Sequence, residues 1–277
     1  MGGDIMRDPY FDNAKALLIA LVITGHATEI LLLNGHAVKP LYIYIYIFHM
    51  PAFVLLSGYF SKHVRNLQKS ELKYLGLYLI STLIYWPFIQ FNLQTILFML
   101  IVPYYVLWYL FSLVLWYILL QFFRKIKHPI ILAMIISIAV GYFPIIDKQM
   151  SLSRTFVFFP FFLTGYYLQS KHFEVLNTKK LPALICIAIL LFCLTIFNFD
   201  YKWLYNCHSY CFLGHKEWYA GFYRIALLTV SSIATACFYA IVPSSRINRV
   251  TWVGKHTLII YLIQGLIFVV LKRLILL

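Results

Sequence analysis

What this chain can fold into is governed by a succession of apolar runs, each about as long as a bilayer is thick. A membrane-spanning helix needs about 20 predominantly apolar residues. Nine segments answer to that, near 13–33, 40–60, 73–90, 103–122, 129–146, 155–170, 181–198, 218–242 and 256–276. Over 277 residues the chain is 62% hydrophobic and only 12% charged, whereas a soluble domain carries about a quarter charged residues. Too little polar surface exists to coat a water-soluble globule. The expected architecture is all-α: a polytopic integral membrane helical bundle of about nine spans, forming one membrane-embedded domain over 1–277. The run 93–102 (LQTILFMLIV) is apolar but short and reads as an interfacial or re-entrant piece leading into the fourth span. No linker marks a separate soluble domain, and the longest polar stretch is the loop 199–217. Residues 1–12 do not read as a cleaved signal peptide, since many spans follow the first.

The net charge of +14 would raise nucleic acid as a partner for a soluble protein. Here the basic residues lie between apolar runs, so they set topology, and membrane lipid rather than nucleic acid is the expected surroundings. Loops after spans two, four, six and eight carry Lys62, Arg65, Lys69 and Lys73, then Arg124, Lys125 and Lys127, then Lys171, Lys179 and Lys180, then Arg246, Arg249 and Lys255. The alternate loops are poorer in Lys and Arg. That alternation puts the N-terminus in the cytoplasm and, with nine spans, the C-terminus outside; a multi-pass place in the plasma membrane is expected. Of five cysteines, Cys186, Cys193 and Cys237 fall in apolar runs, and no disulfide framework is implied. The loop NCHSYCFLGH gathers Cys207, His208, Cys211 and His215, but not at the spacing of a common zinc motif, so no metal is expected. In YIYIYIFHMP the residues alternate like a strand. An isolated strand cannot satisfy its backbone in lipid, so the run is read as helix, with Tyr42, Tyr44 and Tyr46 near the outer interface. An echo links 48–63 to 159–172: a proline, then Gly-Tyr, then Ser-Lys-His.

The first span, KALLIALVITGHATE, carries ionisable residues that a bilayer penalises. At about 100° per residue, Lys15 and His26 lie within about 20° of one azimuth, and Asp12 and Glu29 share that side within an arc of about 100°. Such a stripe must face the bundle interior or a water-filled cavity, and marks a functional site by default. His26 lies about 20 Å from the start of span one, and His49 about 14 Å from the outer start of span two. In a hydrocarbon core about 30 Å thick the two imidazoles fall at nearly one level, with Glu29 a turn from His26. Groups of this kind suit proton transfer.

The stretches YFDNAKALLIALVITGH and FHMPAFVLLSGYF resemble the acyltransferase 3 family of membrane O-acyltransferases, and its fucose 4-O-acetylase-like branch in particular. Lys15 and His26 match the family's basic residue and histidine separated by ten positions, with Lys where Arg is usual. Ser57-Gly58 matches its Ser-Gly, and PYYVLWYLFSL, FFPFFLTGYYL and WVGKHTLIIYLIQ also look like this branch. The family generally has ten spans, and its last motif commonly ends in His where this chain has Gln264.

That resemblance implies acyl transfer, usually acetyl, from a coenzyme A thioester to a sugar hydroxyl of a surface glycan or its lipid-linked precursor. On this reading Lys15, Lys62 and Arg65 hold the phosphates of acetyl-coenzyme A. His26 takes the acceptor proton as general base or carries the acyl group itself, and Glu29 orients the ring. His49 donates to the developing oxyanion or relays a proton. Arg154, Arg224 and Trp108 are the expected acceptor contacts. Ser57 serves helix packing rather than nucleophilic attack. Two other classes fit polar stripes and paired histidines: a proton-coupled transporter or flippase of a glycan or small acid, and a non-catalytic subunit of a polysaccharide-export complex. No inverted repeat with broken helices is evident in the sequence, which weighs against transport.

Overall fold

The computed structural model describes residues 8–33, 38–64, 66–89, 92–146, 151–196 and 199–275. Among them there is no strand, and every apolar segment of the sequence is helical. In chain order the helices are α1 (Pro9–Leu33), α2 (Lys39–Ser61), α3 (Leu67–Ile89), α4 (Leu93–Ile101), α5 (Trp108–Phe123), α6 (Pro129–Ala139) and α7 (Leu152–Tyr167). There follow α8 (Ser170–Asn177), α9 (Lys180–Ile196), α10 (Gly221–Ile241), α11 (Asn248–Lys255) and α12 (Thr257–Ile275). Among the described residues six helical stretches are long and apolar enough to cross a bilayer, or seven if α8 and α9, bent by 76° at their junction, make one span. Each of the nine expected segments is therefore helical over most of its described residues, while α6 and α7, at 11 and 16 residues, fall short of a full crossing.

Helix α1 is turned polar side inward. Leu17, Ile23 and Leu31 face outward, whereas Asp12, Asn13 and Thr28 are buried and Lys15, His26 and Glu29 are mostly covered. In lipid this is the economical arrangement, because apolar side chains lose nothing against acyl tails and ionisable ones lose much. Asn13 shows how complete the inner satisfaction is. Its Nδ2 donates to the carbonyls of Pro243 (2.9 Å) and Ser245 (2.8 Å), and its Oδ1 accepts from Thr251 (3.1 Å). Gly254 of α11 lies against the Asp12 carbonyl so closely that a Cβ there would overlap it. Helix α12 thus starts beside the first turn of α1, and its Lys272 ends beside Glu29. The two helices run in the same direction, which requires an odd number of crossings from α1 to α12.

Helix α2 is the most enclosed of the helices long and apolar enough to cross a bilayer, and the YIYIYI run is helix throughout. Tyr42 is fully buried and stacks on Tyr46 at 4.1 Å, so these rings pack inside the protein instead of meeting headgroups. The sequence echo has a counterpart in space. Gly58 of α2 meets the Phe162 carbonyl of α7, and Gly165 of α7 meets the Leu55 carbonyl of α2, each with no room for a Cβ. The two helices also end together: Tyr59 Oη is 3.2 Å from Ser170 Oγ, and Lys62 Nζ donates to the Leu168 carbonyl. They are a parallel pair joined at small residues, the usual way for backbones to approach inside a bilayer.

The run 93–123 is not continuous helix. It breaks at 102–107, between α4 and α5, where Tyr105 adopts φ 48°. Irregular backbone at membrane depth is tolerated where it is buried in protein or lines a cavity. Residues 102–106 line one.

Candidate active site

Two cavities lie in series along α1. The first, of about 370 Å³, is bounded by His26 and Glu29 of α1, His49 of α2, Trp108 of α5 and Arg154 of α7, together with Tyr105 and the loop residues Tyr205 and Cys207. The second, of about 280 Å³, is bounded by Lys15, by Ser57 of α2 and Tyr109 of α5, and by Gly254 and Lys255 of α11. Val22, Met50 and Tyr261 line both. Because α1 and α2 are joined by a short loop and run in opposite directions, the order 15, 22, 26, 29 on one is met by 57, 50, 49, 46 on the other. Gly25 makes this approach possible: a Cβ there would stand 3.1 Å from the Tyr46 ring.

His26 Nδ1 lies 3.5 Å from Glu29 Oε2, within ion-pair reach but long for a hydrogen bond. The other carboxylate oxygen, Oε1, is 3.0 Å from Lys272 Nζ. The Lys272 ammonium stands 4.4 Å from the centroid of the Tyr105 ring, and that ring lies 4.7 Å from the imidazole of His26. His49 is more constrained. Its Nδ1 is 2.7 Å from the Ile45 carbonyl. A carbonyl only accepts, so Nδ1 carries the proton, and in the neutral ring Nε2 is a bare acceptor. Neutral His49 therefore accepts a proton at Nε2; it donates there only once protonated. Neither Nε2 has a hydrogen-bond partner among the described residues.

Arg154 Nε donates to the Tyr205 carbonyl at 2.9 Å, and the guanidinium lies 5.0 Å from the Trp108 ring. Neither of its Nη atoms has a hydrogen-bond partner among the described residues. Trp108 is itself stacked on Phe158. Tyr205 lies in the loop outside the spans, and burial pushes its phenol up to about 12, keeping it neutral and able to donate at ordinary pH. Arg224 is elsewhere. It is fully buried and lines neither cavity; its Nη1 donates to Asn206 Oδ1 at 2.5 Å and its Nη2 lies 3.4 Å from the His208 carbonyl. With Ser153, whose hydroxyl donates to the Asn206 carbonyl at 3.0 Å, it clamps the loop that closes the first cavity. Lys62 also lines neither cavity and sits over the Tyr59 ring at 3.7 Å. Arg65 lies outside the described residues.

Backbone strain gathers here as well. Three non-glycine residues among those described have positive φ: Tyr105 (48°), Ser151 (51°) and Asn206 (52°). The first two line the first cavity, and Asn206 sits between its lining residues Tyr205 and Cys207. A bulky residue at positive φ is a true outlier, and such outliers cluster at functional sites. Tyr105 adds a second anomaly, since its hydroxyl is buried without a partner.

The structure thus brings together His26, Glu29, His49, Trp108 and Arg154 in one chamber, with Lys15 in the next. Sequence reasoning missed Tyr105 and Lys272. An ionisable residue within a span is a candidate by rule, but Lys272 near the end of the last span reads as a snorkelling anchor. Nothing in the sequence signals the strain at Tyr105. Gln264 is buried, lines neither chamber, and donates to the Tyr261 carbonyl at 3.1 Å. Cys207 is buried in the cavity wall while Cys211 is exposed, and both thiols are free. Among the described residues no three of His, Cys, Asp and Glu gather where they could hold a metal ion.

Residues 8–277 match a family model described as an acyltransferase domain. The chain is similar to "Nodulation protein NolL" of Sinorhizobium fredii, at 27% identity over 95% of this chain and 78% of that protein. It is equally similar to "Nodulation protein NolL" of Mesorhizobium japonicum, at 27% identity over 95% of this chain and 77% of the relative. No solved structure matches.

Proposed function

The chain belongs to the acyltransferase 3 family, and from that premise we propose that this multi-pass membrane acyltransferase moves an acetyl group from acetyl-coenzyme A to a sugar hydroxyl of a cell-surface glycan or its lipid-linked precursor, in the plasma membrane. The observation that carries the reading is the convergence of two imidazoles, a carboxylate and a guanidinium on one chamber that abuts a second, cationic one. With the N-terminus in the cytoplasm, as the distribution of Lys and Arg predicts, Lys15 faces the compartment that supplies the donor.

In this scheme the acceptor hydroxyl enters the first chamber. His26 accepts its proton at Nε2 as general base, and Glu29 keeps the ring oriented and stabilises the imidazolium that forms. Lys272 holds the second carboxylate oxygen, so Glu29 cannot swing away. His49 takes or relays a proton at Nε2; the role of oxyanion donor passes to groups that carry hydrogen, namely the buried Tyr105 hydroxyl and, when protonated, His49. Arg154 and Trp108 present a hydrogen-bonding fork and an aromatic face, the pair of surfaces that suits a hydroxyl-rich acceptor. Arg224 serves the site indirectly, as the clamp on the loop. Lys62, bound to a backbone carbonyl, and Arg65 are left as outer contributors to donor attraction.

The test is direct. Purified protein is incubated with labelled acetyl-coenzyme A and glycan-bearing membranes. Label appearing in the glycan fraction, and vanishing in His26→Ala, supports the reading. Movement of unmodified glycan across vesicles with no acyl turnover favours a transporter and defeats it.

A further inference from the structure

Three side chains line both chambers, and resting on the transferase reading, we infer that the second chamber takes the thioester end of an acyl-coenzyme A while Val22, Met50 and Tyr261 form an aperture between the two that admits only short acyl groups. The chemistry of the second chamber fits that ligand. Lys15, whose ammonium lies 3.5 Å from Asp12 Oδ1 and 4.1 Å from the centre of the Phe60 ring, is partly covered along its wall, and Lys255 stands exposed at the end of α11, so its lining carries two cations of which Lys255 is the exposed one. Phosphates are held well by such point charges. Between them the wall is aromatic and aliphatic, as for Phe53 and Leu258, which suits an uncharged thioester arm. Its volume, about 280 Å³, is below the roughly 300–1,000 Å³ of sites that enclose a drug-sized ligand. Coenzyme A is larger than that, so its nucleotide must remain outside, at the lysines, with only the arm inserted.

Both histidines open on the first chamber and not the second. The reacting carbonyl therefore has to reach the boundary. There the carbon–sulfur bond of the thioester breaks and a carbon–oxygen bond to the acceptor forms. The hydroxyl proton passes to His26 and then to the departing coenzyme A thiolate, giving an ester and a free thiol. Everything on the acyl group beyond its carbonyl must share the boundary with Val22, Met50 and Tyr261. Tyr261 is fixed, because its hydroxyl donates to the Val106 carbonyl. Val22 is buried and branched, hence stiff. Met50 is unbranched and adaptable. The width of the passage is thus set by Val22 and Met50.

The experiment measures kcat/KM for acetyl-, propionyl-, butyryl- and hexanoyl-coenzyme A by release of free thiol, using the full chain in vesicles that contain glycan-bearing membrane extract. Val22→Ala and Met50→Ala are expected to raise the hexanoyl-to-acetyl ratio at least tenfold, since about one methylene in a fitted pocket changes specificity by 10- to 200-fold. Val22→Ile, a one-methylene change that spares the fold, is expected to lower the propionyl-to-acetyl ratio. A chain-length profile unchanged in variants that retain acetyl turnover overturns the aperture alone. Absence of turnover with every donor in the unaltered protein overturns the transferase reading and the aperture with it.

Discussion

Lys272 Nζ stands 3.0 Å from Glu29 Oε1, joining helices at opposite ends of the chain across 243 residues of sequence. Glu29 lines the first chamber and Lys272 stands behind it on α12, fixing the carboxylate whose other oxygen faces His26. If Glu29 acts only through that arrangement, the two residues form one unit. Lys272→Met and Glu29→Gln should each lower kcat by roughly 10²-fold, within the usual range for a general base system. The double variant should lose no more than the worse single one, because the interaction is already gone. Independent, multiplicative losses in a double-mutant cycle contradict the shared role.

The two histidines should separate kinetically. His26 has the carboxylate partner and His49 has only a backbone carbonyl. His26→Ala is expected to cost about 10²–10⁴-fold in kcat. In His49→Ala the loss should be smaller, with the base intact. Equal losses from both, in single-turnover measurements, would place the principal base elsewhere.

Tyr105 offers a cleaner separation of activity from stability. Its hydroxyl is buried without a partner, which is unfavourable in the resting protein. In Tyr105→Phe that cost disappears while the ring against His26 stays. The melting temperature in detergent should hold or rise, and kcat should fall by about 10²-fold, the usual consequence of removing one oxyanion donor. Unchanged kcat leaves the hydroxyl with no catalytic part.

How much of this was legible before the structure depends on the range of the interaction. The polar face of α1 followed from helical geometry alone, because residues 12, 15, 26 and 29 belong to one rigid element. The common level of His26 and His49 followed from a short loop and a fixed rise per residue. Lys272, by contrast, meets Glu29 only through the packing of α12 on α1, which no local pattern encodes. Arg224 read as an acceptor contact because a deep arginine needs a partner. It found one in the Asn206 side chain and the His208 carbonyl, so its charge is spent on structure. The break at 102–107 was partly legible, because the short run 93–102 reads as a piece apart from the fourth span; the left-handed turn at Tyr105 was not, since hydropathy reports burial and not backbone direction.

Arg224 is accordingly predicted to matter for the loop before it matters for chemistry. Its bond to Asn206 joins a charged donor to a buried amide, an interaction worth about 1.5–3 kcal/mol. Arg224→Leu should speed proteolytic cutting within 199–217 and raise the acceptor KM, with donor-only thiol release little affected. Loss of donor turnover with an intact loop would assign the residue to the reaction itself.

The crossing of α2 and α7 carries the last prediction. At Gly58 and Gly165 each helix places a backbone carbonyl where a Cβ would stand, and a carbonyl in a helix cannot rotate aside. Even alanine must force the pair apart, loosening α2, which carries His49 and Met50. Overpacking of this kind costs about 1–3 kcal/mol. Gly76 of α3 provides the control, because nothing lies within 4 Å of a Cβ added there. Helix interiors favour alanine over glycine by up to about 1 kcal/mol. Gly58→Ala and Gly165→Ala should therefore lower the melting temperature in detergent and reduce acyl transfer together, whereas Gly76→Ala should leave both unchanged or slightly raised. Indifference at Gly58 and Gly165 would mean that α2 and α7 do not touch at these glycines, and the chamber they help to shape would have to be redrawn.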